Sequence, residues 1–425
     1  MQDWTAPPRD HLTETQARSS IDWDAGLTYR FGVTLLDTGL TPLAPQPDLD
    51  VERVRVDWGY RVPSTVTSRS AGVAAVRRTA AVTVHGDLDF NPLAVRWQPW
   101  VETLADDGVW VRWNLGVFIA TMPQVRQSSD GTVAREVRLA DLTHRWASTE
   151  TEEHVVAPFN RNVVLFVRED VLIPEFGHSL FDLPATDRVV REEMVFEPGT
   201  SWLEVMNAVL EHGGFDPLTV TEDGAARTRL ADDYAQVGVE HTYEPGVGST
   251  VLEEGVVDPL LPEMPNVVRF RTRREPEIPE EGNGIYTLRN VSVGPASIQE
   301  RGYEIVKVVE VEADDQTELE EIGRRDAIRY FAGGGIRAQV RVGLNPRHSD
   351  RDVVALVKPR LGLDAGSLGD VYLDTYLDTY GDPEQAGSQA EWLVTSWRME
   401  LRSGDPARSA TMQLEAERRI DGVPL

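Results

Sequence analysis

The sequence predicts an α+β, mostly β protein built of barrel-like domains with short helices. Three observations predict it. Apolar and polar residues alternate with period two in stretch after stretch, the mark of half-buried strands. Only two stretches combine helical spacing with start and stop signals. Strand and helix do not alternate in the βαβ rhythm of a Rossmann or TIM-barrel enzyme. At 425 residues the chain exceeds one ordinary core. The expected organisation is an N-terminal arm over residues 1–25, a first barrel-like β domain over 26–190, an α+β middle domain over 191–275 with a helix at 201–212, and a second barrel-like β domain over 276–425 with a helix at 317–331.

The arm is polar, contains Pro7-Pro8 and Ser19-Ser20, and lacks the apolar periodicity of a core. It is expected to order against a neighbouring subunit. Beyond it, Tyr29, Phe31 and Val33 alternate with Arg30, Gly32 and Thr34, and Val54, Val56 and Trp58 with Arg53, Arg55 and Asp57. Ala80, Val82 and Val84 form the next strand, closed by a turn at Gly86-Asp87. Val109 to Trp113 and Gly116 to Ala120 read as two more. Asp130-Gly131 between Val125 and Val133 signals a hairpin, and Val137 and Leu139 lead on to Asp141-Leu142.

Ser201 with Glu204 three residues later makes a capping box for the first helix. Trp202, Val205, Met206, Val209 and Leu210 form its apolar side, and Gly213-Gly214 stops it. Asp223-Gly224 is the tip of a following hairpin. The second helix starts near Thr317, with Glu320 completing a box and Leu319, Ile322, Ile328 and Phe331 on its apolar side; Gly333-Gly334-Gly335 ends it. Glu275 to Asn283 reads as an exposed acidic loop. Strands return at Ile336 to Val342, Val353 to Val357, Trp392 to Leu401 and Ala410 to Leu414; a tandem Tyr-Leu-Asp-Thr lies between Tyr372 and Tyr380.

Charge and composition exclude several functions. The formal net charge of -28 argues against a nucleic-acid-binding surface and against docking on an anionic membrane. With no cysteine, disulfides and thiolate metal sites are excluded. No signal pattern opens at Met1, and no apolar run reaches the ~18 residues of a membrane span.

The chemistry of an enzyme is not visible. None of the eight histidines (His11, His85, His144, His154, His178, His212, His241 and His348) has a partner at metal-site spacing. No nucleophile elbow, P-loop or dinucleotide fingerprint occurs. Gly333-Gly334-Gly335 follows a helix, so it reads as a cap and not as a phosphate loop. The acidic pairs Asp106-Asp107, Asp232-Asp233 and Asp314-Asp315 read as loops or caps, since a glycosidase pair needs one carboxyl with a raised pKa. Asp87, Asp89 and Asn91 approach calcium-loop spacing, but Pro92 stands where glycine is needed. The carboxylates between Asp364 and Asp382 read as a solvated loop. Trp97, Trp100, Trp110 and Trp113, among eleven tryptophans, are either core and interface anchors or an open sugar platform; the first is the expectation. The expectation is therefore a non-enzyme, with no catalytic, cofactor-binding or metal-binding residues and no cofactor.

Several short motifs remain. They are Ala80 to Pro92, ending Gly-Asp-Leu-Asp-Phe-Asn-Pro; the run Leu115 to Ala120; and Asp141-Leu142-Thr143. Further along stand Pro265-Asn266 opening a strand to Phe270, the Thr317–Phe331 helix before Leu344-Asn345-Pro346, and Asp352-Val353-Val354. On these residues the chain resembles the tail-hub or minor tail proteins of long-tailed phages, a baseplate-hub-like family, in their actinobacterial siphophage type. The resemblance covers most of residues 26–425. Having Lys307 and Lys358 as the only lysines fits such a GC-rich source. Where hub families often show Gly-Asp before the aliphatic strand, this chain has Ser349-Asp350-Arg351-Asp352.

The resemblance implies barrel domains related to tail-tube subunits and a homotrimeric ring at the distal tail tip. It implies contacts with tail-tube and distal tail proteins, the tape measure protein, and receptor-binding or fibre proteins. Specific nucleic-acid binding and a membrane segment are not expected. The protein would be made in the host cytoplasm and reside in the virion. Any wall-degrading activity would sit on other chains. The alternatives are a distal tail protein or other baseplate component, and a cell-surface protein that binds or cleaves carbohydrate.

Overall fold

A computed structural model describes residues 28–59, 78–86, 88–104, 110–127, 133–230, 239–243, 251–258, 265–272, 280–292, 297–311, 313, 315–332, 337–346, 348, 353–356, 390–403 and 410–418. The described residues are mostly strand with a few short helices, as the alternation predicts. The arm, the tips at Asp87 and 128–132, the triple glycine and the Tyr372–Tyr380 repeat lie outside them. The chain divides into two units, one of 1–233, 343–348 and 397–412, the other of 234–342, 349–396 and 413–425.

The first unit is built on seven strands: β1 (Tyr29–Leu36), β2 (Asp50–Gly59), β3 (Arg78–His85), β4 (Arg96–Leu104), β5 (Trp110–Asn114), β6 (Phe118–Gln127) and β7 (Val133–Asp141). They run β1-β4-β6-β7-β3-β2, with β5 added to β4, and every pair is antiparallel. The period-two residues define the core face. Val54, Val56 and Trp58 of β2, Val82 and Val84 of β3, Trp97 and Val101 of β4, and Val137 and Leu139 of β7 are all buried. A one-residue slip would turn this whole set to solvent, so the pattern fixes the register. The end of the Ala390–Arg402 strand lies beside β2: Arg53 pairs with Glu400 at 2.8 Å, Trp397 stacks on Trp58, and Ser403, just after the strand, donates its N–H to Glu52 O at 2.8 Å.

Helices make the second layer of this unit. Thr143–Ser148, a helical run over 163–176 and Trp202–His212 share one core, in which Trp146, Phe166, Val171, Leu203, Met206 and Leu210 pack with Val117, just before β6. Ser201 caps Trp202–His212 through the Glu204 N–H, and Gly213 ends it, as the capping box predicts. Trp202 is only partly buried; Leu203 and Asn207 complete the inner face instead. The 163–176 run is not foreseen by the sequence reading. Asn162 caps it by accepting from Val164 and Leu165 N–H, and its middle, Phe166–Leu172, is π-helical. Pro174 accounts for the widening: it has no N–H for the Asp170 carbonyl and its ring would strike that carbonyl in an α-turn. The hairpin at Asp223-Gly224 forms between Thr219–Val220 and Ala226–Arg227.

In the second unit, Val267–Thr272 pairs antiparallel with Gly284–Arg289 and parallel with Val306–Val311; Glu280–Glu281 completes a four-stranded sheet. The Gln316–Ala332 helix covers one face, with Leu319 and Ala327 packed on Val268, Phe270 and Tyr286. Its N-terminal cap is Asp315, which accepts the Glu318 N–H at 2.8 Å, and not Thr317. Asp315 and Glu318 hold the same spacing as Thr317 and Glu320, and aspartate is the stronger cap. Elsewhere Val239–Tyr243 pairs with Val353–Leu356, and Val251–Asp258 with Arg337–Val342.

Candidate assembly surfaces

Polar chemistry in the first unit concentrates where β3 starts, β7 ends and the 221–225 loop docks. Asp141 accepts the Arg78 N–H at 3.0 Å through one oxygen and the Thr143 N–H, also at 3.0 Å, and hydroxyl through the other. It holds the start of the Thr143–Ser148 helix against β3. Burial pushes the Asp141 carboxyl above its usual range, against the lowering effect of Thr143 and Arg78. The buried Arg78 guanidinium reaches Glu222 at 3.0 Å. Burial alone would raise Glu222, but the charges of Arg78 and Arg227 prevail and its pKa is lowered. Next door, Asn114 Nδ2 donates to Asp223 Oδ1 at 2.7 Å, and Gly224, at φ +91°, lies against Leu40 and Val117. Asp141 has the raised pKa that an acid catalyst needs, but it is sealed from solvent, so no substrate reaches it.

The face of β1, β4 and β5 opposite the core carries a ladder of arginine and tryptophan. Glu102 stands across from Arg30 on β1 and Arg112 on β5. Arg30 pairs with Glu102 and lies over the Trp110 ring at 4.4 Å; Arg112 lies over Trp100 at 4.7 Å and donates to Thr34. Only glycine fits at position 32, because a Cβ there would come within 2.6 Å of the Trp100 ring. The four clustered tryptophans therefore divide. Trp97 and Trp113 are buried and donate to Pro92 O and Thr103 Oγ1, each at 3.0 Å, while Trp100 and Trp110 are half-buried under arginines.

The other residues weighed as candidates are scattered. His85 faces Glu52 and His154 faces Glu197, each at 3.4 Å; His212 Nε2 accepts the Arg191 N–H. His178 is packed edge-on between Trp146 and Phe181, and burial first, then Arg145, lowers its pKa. Asn91 Oδ1 accepts the Leu93 N–H, forming a turn. Among the described residues no group of three histidines or carboxylates could hold a metal, and no helix is long and apolar enough to cross a membrane.

The likeness to known proteins lies in the fold. The chain superimposes on a tail protein from Neisseria meningitidis MC58 with a TM-score of 0.59 at 12% identity, covering 92% of this chain and 97% of that one. It superimposes on the 43 kDa tail protein of prophage MuSo2 from Shewanella oneidensis at 0.57 and 9% identity, covering 92% and 98%. A chain of the half-lidded Francisella PdpA–VgrG complex gives 0.53 at 8%, covering 98% of this chain and 62% of that one. This chain has the fold of solved phage tail proteins. No protein-family model and no curated protein sequence matches it.

The motifs behind the resemblance prove to be fold devices. Gly116 sits at φ +127°, where a Cβ would come within 2.8 Å of Phe118. Asp141 and Thr143 tie the start of the Thr143–Ser148 helix to β3. Asn266 is buried; its Nδ2 donates to Tyr303 O at 2.9 Å and its Oδ1 accepts the Ile305 N–H at 2.7 Å, which aligns Val306–Val311 beside Val267–Thr272.

Proposed function

We propose that this protein is a structural, non-catalytic hub at the distal tip of a phage tail, resident in the virion. Three copies form a ring through heterologous contacts that close on rotation. The ring closes the tail tube, meets tail-tube, distal tail and tape measure proteins on one side and receptor-binding or fibre proteins on the other, and lets DNA pass. The observation that supports this reading is the extent of the fold likeness, 92% of this chain against 97% and 98% of two tail proteins. Charge supports it too: a net -28 per chain repels a passing polyanion, whereas a basic lining would bind DNA and release it slowly.

The test is the mass and structure of the assembled particle. A closed trimer with an axial channel, lined by more Asp and Glu than Arg and Lys, is the expected result. An assembly without an axial lumen ends the hub reading. A ring whose lining is mainly basic ends the repulsive-channel mechanism alone.

A further inference from the structure

The two-stranded sheet of Val155–Ala157 and Met194–Phe196 is apolar on both faces. Ala157 belongs to the helical core of the first unit, and Val155, Met194 and Phe196 pack against it. Alternation turns Val156 and Val195 the other way, and the antiparallel register sets them directly opposite each other. They are 43% and 54% exposed, and Phe159, just beyond the strand, is 68% exposed. A paired valine and an open phenylalanine are costly to leave in water and are a feature of docking sites.

What surrounds these residues says what would cover them. Glu152, Glu153, Glu192, Glu193 and Glu197 are all exposed on the same two segments. Against these five carboxylates, residues 152–159 and 191–197 hold one histidine, His154, which faces Glu197, and one arginine, Arg191. The nearby Arg161 is engaged by Glu169 and Asp170. We infer that the Val156–Val195 face, with the exposed Phe159 three residues beyond Val156, is a docking surface for a basic, aliphatic segment of a different protein. The partner buries aliphatic side chains on the valines and phenylalanine and sets arginines or lysines against the surrounding carboxylates. The same face of a second copy is disfavoured, because it would bring carboxylate against carboxylate. This inference stands on the local geometry and does not depend on the tail-tip reading.

The test uses the full chain and two synthetic fluorescent peptides, Arg-Arg-Val-Ile-Val-Arg-Arg and Glu-Glu-Val-Ile-Val-Glu-Glu. The basic peptide should bind and the acidic one should not. Phe159→Ser with Val195→Ser should weaken binding by about tenfold or more, as loss of a hot spot does. Glu152→Gln with Glu153→Gln should weaken it several-fold and flatten its salt dependence. These positions are exposed, so the variants should keep the parent circular dichroism and melting curve. Equal binding of both peptides, or no effect of Phe159→Ser with Val195→Ser, overturns the inference. So does a loss of self-association in that double variant, measured by sedimentation without peptide, because it would assign the face to a second copy.

Discussion

The buried Arg78 guanidinium at the start of β3 donates to the Glu222 carboxylate at 3.0 Å, joining positions 144 residues apart. Removing either partner leaves the other in a largely dry site. Because Glu222 keeps some contact with water, the full cost of breaking a buried pair has to be discounted. Arg78→Met should cost about 2–4 kcal/mol and Glu222→Gln about 1–2 kcal/mol in urea unfolding. Both variants together should cost less than the sum, since each removes the same bond. Glu222 also has a sign in pH. Its folded pKa is lowered, so its contribution is present above the ordinary carboxylate range and is lost as pH falls. Glu222→Gln should therefore flatten the acid limb of the stability curve.

Asp141 should behave in the opposite sense. Burial raises its folded pKa, so its contribution is full below the unfolded value and declines as pH rises through the folded one. Asp141→Asn removes the charge and keeps one acceptor oxygen, enough for the Thr143 donors or for the Arg78 N–H but not for both, because its amide nitrogen then faces a donor. It should cost about 1–2 kcal/mol, for one orphaned donor, and lose the decline above about pH 4. Asp141→Ala orphans those donors and should cost on the order of 3 kcal/mol. Urea midpoints between about pH 4 and 8, taken as differences from the parent, separate the two.

Two glycines at positive φ should respond differently to alanine. Gly116 and Gly199 both have backbones that L-residues avoid, at φ +127° and +87°. Only Gly116 is also crowded, by Phe118 and the Arg78 side chain, whereas nothing lies within 4 Å of a Cβ at Gly199. Gly199→Ala should cost about 1 kcal/mol from backbone strain, and Gly116→Ala on the order of 3 kcal/mol or more. Similar melting temperatures for the two variants would contradict this.

His178 should report on mild acid. Its lowered folded pKa means that stability is present above the ordinary value of 6.5 and is lost as pH falls through the folded value. The parent should weaken as pH falls below about 6.5, and His178→Phe, which keeps an aromatic ring between Trp146 and Phe181, should weaken less. Denaturation at matched ionic strength is the measurement.

Where one signal dominated, the fold was legible. Strict alternation gave β1, β2 and β3, and the Ser201 box gave the start of Trp202–His212. The helical run over 163–176 was not legible, because Val163-Val164-Leu165-Phe166-Val167 is apolar and β-branched enough to read as a buried strand. Its single local clue was Asn162, whose capping role depends on a backbone already turned into helix. The cap at Asp315 was hidden by an equally spaced Thr317 and Glu320 two residues on. The motifs Leu115 to Ala120 and Pro265-Asn266 were visible as strings, but their purpose was not. The crowding at Gly116 and the clamp by Asn266 involve Arg78, Tyr303 and Ile305, all distant in sequence. The exposed face of Val156 and Val195 was illegible for a related reason: a strand with apolar residues on both sides does not declare which side stays open.

The Ala390–Arg402 strand sets a schedule for biosynthesis. Its residues beside β2 belong to the first unit, yet they leave the ribosome more than 300 residues after their partner. Until then β2 offers a nascent sheet edge with no neighbour, rich in valine, and such edges recruit one another. Chaperones would hold that edge until the Ala390–Arg402 strand has emerged, and its arrival, not emergence of the first β-strands, would complete the sheet.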